Sequence, residues 1–480
     1  MIHCYQSNGY SIVMDVNSGA VHVVDDLVYQ LVPLLEPLVK EKKDKGEILD
    51  FVKAQTLPYT EEETAEAVDE ILLLAQEGQL YTEDIYENYI DSFKNRETVV
   101  KALCLHIAHD CNLACRYCFA EEGEYHGRRA IMSYDVGKKA LDFLVANSGN
   151  RTNLEVDFFG GEPLMNWHVV QQTIDYVHKQ EKKHGKKIKM SLTTNGLLLD
   201  KEKVKYLTDN HISLILSLDG RKEMHDRMRP GVHGEGTYDE IVKNLQYCVA
   251  NRKGEEYYVR GTFTRYNMDF TTDVIDMLDK GFPAVSMEPV VGEDTADYSI
   301  KEEDLPRVKA EYDRLAKLFI AREEEGRPFF FFHFNMDLWK GPCLPKRLRG
   351  CGAGHEYLAV VPNGDIYPCH QFVGREGYVI GNVYEGLKNF KMMRDFRMNH
   401  VFSKPECVDC WAKFFCSGGC HANNEAFAGD IHKPFHITCE IQKKRVECAM
   451  MIQAYNEMKK PKVMAQPGTY QAKKEAMEEK

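Results

Sequence analysis

The sequence predicts a modular α/β protein with a parallel sheet at its centre. The chain has 480 residues, more than the roughly 150 that one domain usually holds. Six strand-like segments alternate with helical patterns between residues 99 and 288. Such alternation requires a parallel sheet with right-handed crossovers, either doubly wound or closed as a partial barrel. Most of the 15 cysteines fall into two groups, one after the first of these strands and one in the last third of the chain.

The first hundred residues form an acidic module of a different kind. They contain twenty Asp and Glu residues and seven Lys and Arg, a surplus equal to the net charge of -13 of the whole chain. Apolar residues alternate with other residues in Tyr10–Val16, an Asn-Ser-Gly turn follows, and the chain returns through the strand-like Val21–Val24. This pattern predicts a β-hairpin. Apolar residues at helical spacing follow at 27–39, 48–52 and 65–79. We expect a winged-helix module over residues 1–95, whose charge disfavours nucleic acid and favours a peptide or protein ligand, above all a basic one.

Small and polar residues follow the central strands. We expect strands at 99–107, 154–159, 188–192, 212–218, 257–263 and 284–288, within a domain of residues 96–335. Parallel sheets bind ligands at the carboxyl ends of their strands. The residues at those ends are Cys111, Gly160, Gly161, Glu162, Thr194, Asn195, Gly196, Ser217, Asp219, Arg260 and Glu288. One pocket is therefore predicted to collect them.

The loop after the first strand contains three closely spaced cysteines, Cys111, Cys115 and Cys118. The sequence has neither a membrane-span pattern nor a signal peptide at its start, so we expect a cytoplasmic protein with reduced thiols and no membrane partner. Three such thiolates can hold three irons of a four-iron cluster and leave the fourth iron open. A zinc site completed by His106 or His109 is the alternative, but structural zinc more often uses paired C-x-x-C knuckles.

This cysteine spacing, followed by the aromatic Phe119, resembles the signature of the radical S-adenosylmethionine (SAM) superfamily. The resemblance implies a partial (β/α)6 barrel in which the open iron of a four-iron cluster binds SAM and an electron from the cluster cleaves it. Gly160-Gly161-Glu162-Pro163 is similar to the superfamily's GGEP element, which receives the SAM amino group. The further pocket residues implied by the resemblance are Ser217 and Asp219, at positions that usually contact the ribose, and Thr194, Asn195 and Arg260.

The last third of the chain contains a second cysteine pattern. Cys351 is followed after twelve residues by Gly364 and after four more by Cys369, and the series continues with Cys407, Cys410, Cys416, Cys420 and Cys439. The pattern resembles the SPASM iron–sulfur domain, expected over residues 336–458, and implies two auxiliary four-iron clusters. By this resemblance Cys407, Cys410, Cys416 and Cys439 hold the distal cluster, and Cys351, Cys369 and Cys420 hold the proximal one. Cys343 would complete the proximal cluster or leave an iron open to a substrate thiolate. A pair of zinc ribbons is the alternative, although it does not explain seven thiolates shared between two sites.

The order of the three parts resembles the radical SAM maturases of ribosomally made peptides, and most closely those that act on cysteine-rich SCIFF peptides. The segments that support this are 8–10, 15–19, 23–26, 350–354 and 367–372. The resemblance implies thioether cross-links between Cys and an acceptor such as Thr in a precursor peptide, whose leader binds the first module by β-augmentation. It also implies an electron donor such as ferredoxin or flavodoxin. Residues 459–480, rich in Lys, Glu and Pro, are expected to form a flexible tail.

His370 directly follows Cys369, at a position where sulfatase-maturing relatives have an aspartate base. This departure weakens the case for formylglycine formation, which also has no use for a leader-binding module. We interpret His370 either as a base for a substrate proton or as a hydrogen-bond partner of cluster sulfur. The remaining alternative is an iron–sulfur redox sensor that binds DNA through the winged helix. Both the acidic charge and the complete SAM pocket argue against it.

Overall fold

The computed structural model describes residues 1–94, 99–125, 127, 129–293, 295–336 and 343–459. The expected tail lies outside the described residues from residue 460 onward. None of the described helices has both the length and the apolar composition that a membrane crossing requires.

The N-terminal module consists of an antiparallel sheet followed by helices. Its strands are β1 (Ile2–Ser7), β2 (Tyr10–Asp15) and β3 (Val21–Val24), and its helices are α1 (Asp26–Lys40), α2 (Lys45–Lys53) and α3 (Glu61–Gln76). The predicted hairpin and helices are confirmed. The side chains of Asp25, Asp44 and Thr60 cap the three helices. Strand β1 was not predicted, although Asn8-Gly9, with both residues at positive φ, is a strong hairpin-turn signal.

All six predicted parallel strands are present in the central domain. They are β4 (Ala102–His109), β6 (Asn153–Gly160), β7 (Lys187–Thr194), β8 (Ser213–Ser217), β9 (Tyr257–Phe263) and β10 (Ala284–Pro289), paired in that order. Two short strands join the same sheet: β11 (Phe330–Phe331) parallel to β10, and β5 (Ala130–Ile131) antiparallel to β4. The parallel barrel sheet of the predicted fold is therefore confirmed.

Helices cover the outer face of this sheet. They are α5 (Tyr134–Ala146), α6 (Trp167–His184), α7 (Lys201–Asp209), α8 (Lys222–Met228), α9 (Tyr238–Ala250), α10 (Thr271–Asp279) and α11 (Leu305–Glu324). The short helix α4 (Ile90–Lys94) precedes the sheet and packs on the C-terminal part, where Phe93 lies in an apolar cluster with Leu348 and Val401. Leu105, Phe158 and Leu192, from three adjacent strands, are fully buried in the apolar core that helices and strands share. Close packing of this kind holds the strand ends, and the loops that follow them, in fixed positions.

The C-terminal part extends the barrel sheet instead of forming a sheet of its own. Its strands are β12 (Tyr357–Val360), β13 (Asp365–Tyr367), β14 (Gly381–Asn382) and β15 (Gly386–Leu387). Strand β12 pairs parallel to β4, on the side opposite β6, and β13 to β15 follow antiparallel. The helices are α12 (Leu344–Arg349), α13 (Phe390–Met398), α14 (Pro405–Val408), α15 (Lys413–Cys416), α16 (His421–Ala428) and α17 (His436–Lys459).

The N-terminal module packs on the C-terminal part. The rings of His3 and Trp411 stack with centroids 3.7 Å apart, and His3 Nε2 lies 3.1 Å from a carboxylate oxygen of Glu447 on α17. The ammonium of Lys413 lies 2.8 Å from a carboxylate oxygen of Asp84. These contacts place the first sheet against the loop that carries the distal cysteines.

Candidate active site

A cavity of about 550 Å³ lies at the carboxyl ends of the barrel strands. The residues singled out from the sequence that line it are Cys111, Cys115, Cys118, Phe119, Gly160, Gly161, Thr194, Asn195, Ser217, Arg260, Glu288, His370, Cys416, Cys420 and Cys439. Glu162, Pro163 and Asp219 are buried behind its wall, and Cys351, Cys369, Cys407 and Cys410 are not among the lining residues. The pocket predicted at the strand ends is therefore shared with cysteines of the C-terminal part.

The three barrel thiols, Cys111, Cys115 and Cys118, follow β4 in a loop that is fixed by the backbone. The Arg116 N–H donates to the carbonyl of Met228 at the end of α8, with a distance of 2.9 Å. Burial raises the pKa of Cys111 to about 12 and that of Cys115 to about 11, and Cys118 adds to both shifts. Metal ligation deprotonates a thiol and removes this cost, so the donor set fits a metal cluster.

Two glycines allow the end of β6 to approach the cysteine loop. A Cβ atom on Gly160 would lie 2.3 Å from the carbonyl oxygen of Ala108, and one on Gly161 would lie 2.2 Å from that of Asp110. Contacts this short exclude any side chain at either position. The Gly-Gly pair of the sequence motif is thus explained by close backbone packing beneath the barrel thiols.

The carboxylate of Glu162 is buried and fully engaged with the protein. It accepts hydrogen bonds from the Thr194 hydroxyl (2.9 Å), the Asn195 N–H (2.8 Å) and the Leu164 N–H (2.9 Å). Burial raises its pKa to about 7, and these hydrogen bonds oppose the shift. Asn195 in turn donates through its side-chain amide to Asn112 Oδ1, at 2.8 Å. Glu162 therefore ties the ends of β6 and β7 to the cysteine loop from behind the cavity wall.

Asp219 is also a buried anchor. The hydroxyl of Tyr117, within the cysteine loop, donates to its carboxylate at 2.6 Å, and the Thr262 N–H donates at 3.0 Å. The Arg229 guanidinium donates to the same Tyr117 hydroxyl at 2.9 Å, and its Nε has no hydrogen-bond partner within the described residues. Ser217, two residues before Asp219, does line the cavity. Arg229 lines it too and was missed, because no sequence motif marks it.

The C-terminal thiols form two groups of mutual neighbours. We call Cys407, Cys410, Cys416 and Cys439 the distal thiols, and Cys351, Cys369 and Cys420 the proximal thiols. Burial is the largest cause that raises the pKa of Cys439 to about 12, and repulsion from the nearby thiols of Cys416, Cys407 and Cys410 adds to the increase. Burial is also the largest cause that raises the pKa of Cys369, and repulsion from the thiols of Cys420 and Cys351 adds to it. The neighbours in space are thus the members of each set that the resemblance implies.

The loop between the two groups has an unusual backbone. Ser417, Gly418 and Gly419 all have positive φ, at 61°, 85° and 77°, between Cys416 and Cys420. The left-handed run reverses the chain, and two glycines adopt it at little cost. Within the described part of the chain, no three His, Cys, Asp or Glu side chains converge on a position for one metal ion. Cys343 is exposed and immediately precedes α12, and its ligation stays an open prediction.

His370 lies in the cavity wall between two aromatic rings. Its ring centroid is 5.6 Å from that of Phe119 and 5.0 Å from that of Phe159. Burial, with a smaller contribution from Arg260, lowers its pKa to about 4. The imidazole is therefore neutral near pH 7, and its Nδ1 lies 3.5 Å from the Tyr357 hydroxyl. A pKa this low makes it a weak base, which disfavours the base interpretation of His370.

The cavity is also lined by an ion pair between Glu288 and Arg445, of which the sequence predicted only Glu288. Glu288, at the end of β10, was expected there. Its carboxylate oxygens lie 3.2 Å from Nε2 of His333 and 3.1 Å from a guanidinium nitrogen of Arg445. Arg445 comes from α17 and also donates to the Tyr312 hydroxyl at 2.9 Å. Helical periodicity gave no reason to place Arg445 in the barrel, because the contact spans 157 residues of sequence.

Two family models match parts of the chain. Residues 105–264 match the model of the radical SAM superfamily, and residues 351–411 match that of the SPASM iron–sulfur cluster-binding domain. The first range covers β4 to β9, and the second begins at Cys351 and ends just after Cys410.

Relatives and solved structures with the same fold are known. A radical SAM cyclopropyl synthase, TigE of Paramaledivibacter caminithermalis, is 22% identical over 74% of this chain and 77% of its own length. A cysteine-type anaerobic sulfatase-maturating enzyme of Clostridium novyi is 25% identical over 66% of this chain and 86% of its own length. The structure of anSMEcpe with bound AdoMet and the Cp18Cys peptide covers 75% of this chain and 99% of that chain, with 20% identity and a TM-score of 0.61.

The chain therefore contains a radical SAM domain over residues 105–264 and a SPASM iron–sulfur cluster-binding domain over residues 351–411, and it is similar to named radical SAM enzymes. Its cofactors are S-adenosylmethionine with a four-iron cluster in the radical SAM domain and auxiliary iron–sulfur clusters in the SPASM domain. The buried sets of thiols fit cofactors of this kind. Burial disfavours the charged thiolate form of each cysteine, and coordination to a metal cation stabilises that form.

Proposed function

We propose that this chain is a peptide maturase that forms intramolecular thioether bonds between a Cys sulfur and an acceptor residue such as Thr. One observation carries the proposal. The barrel thiols and the C-terminal thiols Cys416, Cys420 and Cys439 border the same cavity. A peptide held there is within reach of a hydrogen-abstracting centre on one side and a sulfur-binding or electron-accepting centre on the other.

The cofactors supply, when bound, reductive cleavage of SAM, hydrogen abstraction and an electron acceptor. We assign the SAM-binding cluster to the barrel thiols, and the two auxiliary clusters to the distal and proximal thiols. Arg260 and Ser217 offer a cation and a hydroxyl to SAM on the barrel side of the cavity. Phe119 and Phe159 flank His370 in the cavity wall. A pKa near 4 makes its imidazole too weak a base for a thiol proton, so we assign His370 the role of a hydrogen-bond partner of cluster sulfur.

The N-terminal module supports a peptide substrate with a leader. Within the described residues β3 pairs with β2 alone, so one of its edges is open to an added strand. The acidic surplus of residues 1–100 would attract a basic leader. The same module stacks on Trp411 through His3 of β1, so a leader bound at β3 would be held by a module that contacts the part of the chain carrying the distal thiols.

Formylglycine formation in a sulfatase is the second candidate, since sulfatase-maturating enzymes are among the relatives. The solved sulfatase-maturating enzyme is matched over 99% of its length but covers 75% of this chain. About a quarter of this chain therefore has no counterpart there, which favours a substrate that needs an additional binding module.

Mass spectrometry of the reaction product tests the proposal. The enzyme is reconstituted anaerobically and given SAM, a reductant such as flavodoxin or ferredoxin with its reductase, and a cysteine-rich peptide with its leader. We expect the peptide to lose two hydrogens per cross-link, with one thiol lost to alkylation for each and 5′-deoxyadenosine formed. Conversion of a sulfatase-derived peptide to an aldehyde, with the cysteine-rich peptide unchanged, would support the second candidate instead.

A further inference from the structure

Lys404 is a buried cation without a carboxylate partner. It immediately precedes α14 and its side chain is fully buried. Its ammonium donates to the carbonyl of Gly418 at 2.6 Å. That carbonyl also accepts from the side-chain amide of Asn424, at 3.2 Å. Neither contact supplies a negative charge.

The other buried lysines of the described structure are neutralised. Lys413 lies 2.8 Å from a carboxylate oxygen of Asp84, and Lys444 lies 2.7 Å from one of Asp313. No described carboxylate lies within ion-pair distance of Lys404. An isolated buried ammonium is costly, so its charge must be balanced by something else.

The position of Lys404 shows where that balance lies. Its carbonyl oxygen accepts the N–H of Cys407 at 2.9 Å. Its ammonium holds the middle of the loop between Cys416, a distal thiol, and Cys420, a proximal thiol, where a Cβ on Gly418 would lie 3.0 Å from Nζ. Burial lowers the pKa of Lys404, and the thiols of Cys407, Cys416, Cys439 and Cys420 oppose that shift. Lys404 therefore lies between the two groups of thiols and close to both.

Thiolate ligands give a four-iron cluster a net negative charge, and that charge helps to set its reduction potential. A fixed cation nearby stabilises the more negative, reduced cluster more than the oxidised one. Low dielectric in the buried site strengthens the effect.

We propose that Lys404 is a positioning residue that neutralises the auxiliary clusters and raises their reduction potential. In the proposed reaction this would favour electron uptake when the carbon–sulfur bond forms. The inference rests on the proposed ligands but not on the proposed reaction.

The test measures cluster potential in the absence of SAM and peptide. The reconstituted protein carries Cys115→Ala, which removes the barrel cluster and leaves the auxiliary signals. Lys404→Gln keeps a donor for the Gly418 carbonyl and removes the charge, whereas Lys404→Arg keeps the charge. Lys388→Gln, at an exposed lysine of the same domain, makes the same change in net charge and is the matched control. Iron per chain and a reductive titration followed by electron paramagnetic resonance are recorded for each.

With wild-type iron content, Lys404→Gln is expected to make reduction of an auxiliary cluster at least tenfold less favourable, about 59 mV for a one-electron couple. Lys404→Arg and Lys388→Gln should stay near the parent value. If Lys404→Gln loses iron while Lys404→Arg retains it, the charge is needed to hold the clusters, which also supports the inference. An unchanged reduction potential in Lys404→Gln at full iron content overturns the inference. An equal loss of iron, or an equal decrease in reduction potential, in Lys404→Gln and Lys404→Arg also overturns it. A parent protein without iron would instead contradict the ligand assignment, and a failed cross-linking assay would leave these potentials unaffected.

Discussion

The two sides of the cavity balance their buried charges in different ways. Behind the barrel thiols lie the carboxylates of Glu162 and Asp219, both almost fully buried, and Asp219 lies 4.0 Å from the buried guanidinium of Arg229. Among the C-terminal thiols lies the ammonium of Lys404, fully buried, which donates to the carbonyl of Gly418. The barrel side therefore contains both signs of charge, whereas the C-terminal side presents its thiols with a cation.

The difference corresponds to the charges of the cofactors. SAM carries a sulfonium, an amino group and a carboxylate, which suit a side that contains both carboxylates and guanidinium groups. Auxiliary clusters bring only the negative charge of their thiolates, which suits a buried lysine. One cavity thus combines a side suited to a cofactor of mixed charge with a side suited to anionic clusters.

Loss of one thiol on each side should separate two activities, and this is the largest effect that we expect. Cys115→Ala should remove the barrel cluster and reduce 5′-deoxyadenosine formation to the level without enzyme. Cys416→Ala should remove an auxiliary cluster, retain 5′-deoxyadenosine formation and abolish cross-linking. Iron content, nucleoside yield and peptide mass are measured together. Full cross-linking by the Cys416 variant would contradict the assignment of separate roles.

Gly161→Ala should damage the barrel side alone. Its Cβ would overlap the Asp110 carbonyl, which lies 2.2 Å from the ideal position, and displace the cysteine loop. We expect loss of about one cluster's iron, with the auxiliary iron retained. Gly185→Ala is the control for an added methyl group, because nothing lies within 4 Å of the ideal Cβ position of Gly185, whose φ is +64°. That variant should cost about 1 kcal/mol of stability and no iron. Equal iron in both variants would show that the close approach is not required.

The sequence predicted the elements whose signals are local. Alternating apolar residues and the glycines at strand ends placed β4 and β6 to β10, but not the short β5, and cysteine spacing placed the thiol loops. It also identified Glu162 and Asp219, but their burial behind the cavity wall depends on packing of distant strands. Residue patterns along the chain carry no information of that kind.

Contacts between remote segments account for what was missed. Arg445 reaches Glu288 because α17 crosses the barrel, and periodicity cannot report that crossing. Strand β12 joins β4 across more than two hundred residues. Lys404 has no motif, since its role depends on the loop from Cys416 to Cys420 folding over it. By contrast, β1 could have been predicted from Asn8-Gly9.

Arg445 joins the two sides, and its removal should destabilise the protein by about 3 kcal/mol. Arg445→Met leaves Glu288 with one fewer cation in a buried setting. Burial opposes ionisation of Glu288, but His333 and Arg445 hold its pKa well below the ordinary value of 4.5. A lowered pKa stabilises the folded state above the unfolded pKa, and this contribution is lost as pH falls. The loss in Arg445→Met should therefore be greatest near neutral pH and shrink in acid, as followed by urea unfolding.

Lys443→Met is the control for Arg445→Met on the same helix. Lys443 is partly exposed and lies 2.8 Å from a carboxylate oxygen of Glu440. Exposed pairs of this type contribute about 0–1 kcal/mol. If both variants lose equal stability at every pH, the pair between Arg445 and Glu288 does not join the two sides.

The smallest effect is expected where the N-terminal module meets the C-terminal side. His3→Ala removes the ring stacked on Trp411 and should cost about 1 kcal/mol in unfolding free energy. If the module delivers a leader to this side, KM for the full precursor should rise while turnover of a leaderless peptide stays constant. His211→Ala, at an exposed histidine paired with Glu255, should change neither the unfolding free energy nor KM for the full precursor. Equal losses for full and leaderless peptides would mean that the contact stabilises the fold without transmitting leader binding, because only a leader-dependent contact discriminates between the two substrates.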